Sequence, residues 1–134
     1  MKPHPQVGKL PRSLFRGWVV ALAVGILLGP GPTSAAHSET YTVTKTDDTN
    51  DGACDSDCSL REAIITANAS PGSDSITLPS GTFVLTISGT HEDSAATGDL
   101  DITDSLTLLG AGTTHTIIDG GAIDRVVHVI GSTT

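Results

Sequence analysis

Leu106-Thr107-Leu108-Leu109-Gly110-Ala111-Gly112-Thr113-Thr114-His115-Thr116-Ile117-Ile118-Asp119-Gly120-Gly121 sets two short apolar runs between glycine-bearing breaks. Each run is strand-sized, and each break is a place where the backbone turns sharply. Ile76-Thr77-Leu78-Pro79-Ser80-Gly81-Thr82-Phe83 repeats the device upstream, and further strands are expected at 41–45, 82–87, 99–102 and 125–130. Strands at this spacing fit either a small sandwich or a parallel β-helix, and spacing does not choose between them. Beyond residue 36 the aromatics are only Tyr41 and Phe83. That favours a thin core of stacked aliphatics, although a Thr-rich sandwich shares the composition.

Upstream lies Cys54-Asp55-Ser56-Asp57-Cys58, running directly into Ser59-Leu60-Arg61-Glu62-Ala63-Ile64. Ser59 with Glu62 three residues later is a capping box: the serine oxygen takes the N–H of Glu62, and the carboxylate takes the N–H of Ser59. Losing Ser59 should cost about 1 kcal/mol, with a smaller loss for Glu62. The helix should run from Leu60 to about Ala69, with Leu60, Ala63, Ile64 and Ala67 on one face, until Ser70-Pro71-Gly72 stops it. Cys54 and Cys58 are the only cysteines. In an exported protein an intramolecular disulfide is the default pairing, with free thiols or an intermolecular link as the alternatives.

Cys58-Ser59-Leu60-Arg61-Glu62-Ala63-Ile64 resembles the signature of the CSLREA-domain family of bacterial secreted and surface proteins. The segments at 76–83 and 106–121 look like the opening turns of pectate-lyase-like right-handed parallel β-helices. Together these resemblances cover about residues 40–130. They imply a mainly β fold: a capped right-handed parallel β-helix, or solenoid, with one short capping α-helix. On this reading residues 37–73 are the cap and 74–134 the first rungs of an incomplete coil, because a solenoid needs about three stacked repeats and a cover at each end.

Residues 1–36 carry Lys2, Lys9, Arg12 and Arg16 without an acid, then an apolar run from Gly17 to Gly29 and small residues ending at Ala36. This pattern reads as a secretory signal peptide, with Ser34 and Ala36 suited to the cleavage site and His37 as the new N-terminus. The run is short of the roughly 17–25 residues of a membrane span, so no stable span is expected after cleavage. The remaining chain has three basic and fifteen acidic residues, a net charge of −12. Such a surface repels phosphate backbones, which argues against nucleic-acid binding and favours cations.

Asp47-x-Thr49-x-Asp51-Gly52 resembles the first half of a calcium loop, but the twelfth position is Cys58 where an EF-hand needs a bidentate glutamate. A weak structural Ca²⁺ held among Asp47, Asp51, Asp55 and Asp57 stays open beside the simpler reading of a solvated acidic turn. Asp99, Asp101 and Asp104 invite a catalytic reading, yet the alternation with Leu100 and Ile102 is what an outward strand edge produces unaided. No Lys lies after Lys45 and Arg125 is the only Arg beyond the helix, so a lyase base has almost no candidate. His91, His115 and His128 share no ligand spacing and read as loop or outward residues, Arg61 reads as exposed on the helix, and His91 to Gly98 reads as a mobile excursion. No catalytic residue is assigned.

The family resemblance implies a secreted or cell-surface protein that binds extracellular glycans or surface proteins, with its N-terminal segment as a structural cap. The alternative is the N-terminal part of a polysaccharide lyase or glycoside hydrolase whose catalytic rungs lie elsewhere.

Overall fold

The computed structural model describes residues 35–131, so the expected signal peptide falls almost entirely outside the described residues. The element order is β1 (Thr40–Thr42), α1 (Leu60–Ala69), β2 (Asp74–Thr77), β3 (Gly81–Val84), β4 (Leu100–Ile102), β5 (Leu106–Leu109), β6 (Thr116–Asp119) and β7 (Val127–Val129). Among the described residues no helix is long and apolar enough to cross a membrane.

Helix α1 begins where its cap dictates. Ser59 is extended, its hydroxyl oxygen accepts from the N–H of Glu62 at 3.2 Å, and Glu62 Oε2 accepts from the N–H of Ser59 at 2.7 Å. The N–H of Ser70 closes the other end on the carbonyl of Ala67 at 3.0 Å. Cys54 and Cys58 are joined by a disulfide, with Cα atoms 4.5 Å apart. Strand β1 is shorter than the alternation at 41–45 suggests. Val43 still donates to the carbonyl of Thr77, but Thr44 turns its N–H to the carbonyl of Cys58 at 2.9 Å and leaves the sheet.

All strand pairing is parallel, in three separate sheets ordered β1-β2-β5, β3-β6 and β4-β7. Parallel neighbours require a crossover, and here each of β2, β3 and β4 finds its partner three strands later. The expectation of a capped right-handed β-helix solenoid is therefore corrected: the sheets hold three, two and two strands, and none is closed or extends as a solenoid sheet. The physical reason is the supply of strands. Among the described residues the glycine breaks separate two successive strand triplets after β1, short of the repeats a stacked coil needs for a continuous sheet.

Burial is graded from one triplet to the next. Ile76, Leu78, Phe83, Leu85 and Leu100 are buried together with Leu60, Ala63, Ile64 and Ala67 of α1, which packs against β1, β2 and β4. Leu106, Leu108, Ile118 and Val127 on the later strands are only partly buried. A fully buried aliphatic or Phe side chain contributes about 1.5–3 kcal/mol, and a half-exposed one correspondingly less. The apolar stabilisation is therefore concentrated at the helix end, against which the polar groups of the next section are set.

Candidate functional site

All seven residues from Cys58 to Ile64 are buried, including the three polar ones. Arg61 was expected on the exposed face of the helix; it is instead 0% exposed. Its Nε and Nη2 donate to the two oxygens of Asp48 at 2.7 and 3.1 Å. Nη1 donates to the carbonyl of Ala95 at 2.8 Å, and Nη2 to that of Gly98 at 2.8 Å. A buried guanidinium is tolerable only with its fork of donors satisfied, and here it is. Asp48 Oδ2 also accepts from the N–H groups of Thr86 and Ile87 at 2.7 and 3.0 Å.

Glu62 does more than close the cap. Its Oε1 accepts from the hydroxyl of Thr49 at 2.8 Å and the N–H of Asp51 at 3.2 Å, and Lys45 Nζ lies 3.7 Å from Oε2. Burial pushes the Glu62 carboxyl up, yet the N–H of Ser59, the Thr49 hydroxyl and the N–H of Asp51 together hold it below its ordinary value. At Asp48 burial likewise pushes up, and Arg61 with the N–H groups of Ile87 and Thr86 pulls the net value down.

The segment from His91 to Gly98, expected as a mobile excursion, is bonded within itself around Glu92, and the N–H of Gly98 donates to the carbonyl of Ile87 at 2.7 Å. Burial raises the Glu92 carboxyl, but bonds from the Ser94 hydroxyl and the N–H groups of Thr97, Ser94 and Ala96 outweigh it and leave the pKa lowered. Gly98 supplies a left-handed turn with φ +63, and a Cβ there would collide with the carbonyl oxygen of Gly89.

Three carboxylates with lowered pKa values bind fewer protons in the folded than in the unfolded state. Their stabilisation is complete above the ordinary values of 3.8 and 4.5, and is lost as pH falls through the folded values. Chemical denaturation at stepped pH should therefore show stability declining below about pH 4.5. A denaturation midpoint that stays level down to about pH 2 would contradict the three pairings.

Asp99 and Asp101, expected as outward-facing residues of a strand edge, are instead buried, at 4% and 0% exposure. Asp101 Oδ2 accepts from the N–H of Ala95 at 3.0 Å. Across the strand pair Asp101 is in register with His128, whose Nδ1 lies 3.0 Å from Asp101 Oδ1 and 3.9 Å from Asp93 Oδ1. Arg125 bonds to Asp99 through Nε, and its Nη2 is 3.0 Å from the same His128 nitrogen. Beside this cluster opens a polar cleft of about 550 Å³ lined by Thr90, His91, Glu92, Asp93, Asp124 and Arg125. The fold thus unites three residues considered separately in the sequence, Asp101, Arg125 and His128, and adds Asp93.

The four acids considered for calcium are not brought together. Asp51 accepts from the N–H of Ala53, Asp55 from the N–H of Asp57, and Asp57 from Lys45 Nζ at 3.0 Å, while Asp47 is exposed. Among the described residues the one group of three ligand atoms within 4.8 Å of one another is Asp93, Asp101 and His128. Asp104 and His115 are exposed and stand apart from it. Asp93 was missed because the adjacent acids Glu92 and Asp93 in a loop of small residues carry no ligand-spacing signal.

The bond of Arg125 to Asp99 pushes its pKa further up from the ordinary guanidinium value. The chain matches no protein-family model, no curated protein and no solved structure.

Proposed function

We propose that this chain is an exported secreted or surface protein that binds neutral extracellular glycans or partner proteins and does not turn them over. Segment 37–73 serves as a structural cover in this reading, and the outward face around Asp93, Arg125 and His128 makes the contacts. The observation that carries it is Arg125, the one Arg or Lys of that face among the described residues, held on Asp99 through Nε. Charged groups fixed in this way suit orientation of hydroxyls and amides better than proton abstraction. The burial of the signature residues agrees with a structural role for that motif, and the net charge of −12 beyond residue 36 disfavours acidic polysaccharides. The resemblance to CSLREA-domain proteins supports the extracellular location, as does the signal-like leader.

The test combines a neutral-glycan array with a turnover assay on polygalacturonate. Retention on neutral glycans that weakens in Arg125→Ala, with no unsaturated product from the polyuronate, is the expected result. Release of unsaturated uronides that disappears in Arg125→Ala would establish the lyase instead.

A further inference from the structure

Ala35 and Ala36 are exposed and lie outside any helix or strand, whereas from His37 onward the chain is fastened to the exit of α1. The N–H of His37 donates to the carbonyl of Pro71 at 2.9 Å, the hydroxyl of Ser38 to the carbonyl of Ser73 at 2.7 Å, and the N–H of Glu39 to Asp74 Oδ1 at 2.8 Å. Gly72, with φ +144, lets this strap lie close, because a Cβ there would collide with the carbonyl oxygen of His37. The boundary between the unfastened and the fastened chain thus falls at the small-residue cleavage signal.

The surface that the strap meets calls for positive charge. The last turn of α1 holds no basic residue. Its final carbonyls and aligned peptide dipoles amount to about half a negative charge. Asp74 at the start of β2 is 2% exposed, and its Oδ2 has no hydrogen-bond partner. Exposed Asp104 precedes Ser105, whose carbonyl takes the N–H of Asp74 at 3.0 Å. The strap itself brings Glu39, whose carboxylate oxygen lies 2.7 Å from Nδ1 of the His37 ring. In the uncut chain the His37 nitrogen is a neutral amide and answers none of this charge.

We propose that the Ala36–His37 bond is the processing site of this chain, and that the α-ammonium released at His37 is a built-in positive cap for the C-terminal end of α1, seated on the Pro71 carbonyl. In the hydrolysis water gives its hydroxyl to the Ala36 carbonyl carbon and a hydrogen to the His37 nitrogen as the C–N bond breaks. The proton of the new acid passes through solvent to the amine. A single neutral donor becomes a charged group with three, and the hydrogen bond to Pro71 becomes charge-assisted, roughly twice as strong. The inference rests on the leader part of the reading above and not on glycan binding.

The experiment cleaves the full chain with a purified bacterial signal peptidase in detergent, reads the new terminus by mass spectrometry and titrates the terminal amine of the product by nuclear magnetic resonance. The expected product begins at His37, with an amine that half-titrates above the range of about 7.7–8.0 of a free terminus. Its charge then favours the folded state fully below that range, and the gain is lost as the pH rises through the folded value. Gly72→Ala, which pushes the strap off the helix exit, should return the amine to the ordinary range. An intact chain overturns the leader reading and the site with it, and a terminus other than His37 overturns the site. A His37 terminus that titrates within or below the ordinary range, or a folded Gly72→Ala that titrates like the parent, overturns the cap alone. The parent titration is decisive even where Gly72→Ala fails to fold.

Discussion

Replacing Arg61 with alanine is expected to remove about 3–5 kcal/mol of stability, the cost of leaving one half of a buried ion pair without the other. Asp48 would stay buried beside the void with a side chain 3% exposed, and the carbonyls of Ala95 and Gly98 would lose their donor. A domain stabilised by about 5–15 kcal/mol in total can be brought close to unfolding by such a loss. Arg61→Lys should recover only part of it, because an ammonium cannot reproduce the two-pronged contact with Asp48 while also reaching two carbonyls. Urea denaturation with the disulfide intact measures both variants. A loss below about 1 kcal/mol for Arg61→Ala would place the residue among exposed helix positions, contrary to its burial.

Glu62→Ala should be the second most damaging substitution, at about 2–4 kcal/mol, since each buried donor left without an acceptor costs about 1–3 kcal/mol. The donors concerned are the buried N–H of Ser59 and, on less enclosed residues, the N–H of Asp51 and the hydroxyl of Thr49. Ser59→Ala should cost about 1 kcal/mol, the usual value for a lost helix cap. This order reverses the one inferred from the capping motif alone, in which the serine carried more. Comparing the two single variants with the double variant decides it: the double should fall short of the sum, because the residues share a bond. Equal single losses would mean that Glu62 serves the cap and nothing else.

The difference between what could and could not be read from the chain follows sequence separation. The capping box, the bounds of α1 and the rough places of the strands depend on residues a few positions apart, and periodicity exposes them. Arg61 cannot be understood that way: its partners Asp48, Ala95 and Gly98 lie on two different loops, and a polar residue on an amphipathic helix reads as solvent-facing by default. Asp99 and Asp101 show the same limit. Alternation suggested an exposed strand edge, but the burial of Asp101 depends on a loop whose local clue is Glu92 followed by small residues able to offer backbone N–H groups. The solenoid expectation failed differently, because short apolar runs with glycine breaks look alike whether they build one long sheet or several small ones.

The bonds of Arg61 also bear on the order of folding events. Helix-capping contacts close within one turn, whereas the guanidinium must await the arrival of residues 34 and 37 positions away. Loop closure has to precede any reward from such distant contacts, which places this clasp late on the folding route. Interactions absent from the transition state act mainly on the rate of escape from the native form. The Arg61 contacts should therefore lengthen the lifetime of the folded molecule while leaving the speed of its formation nearly untouched.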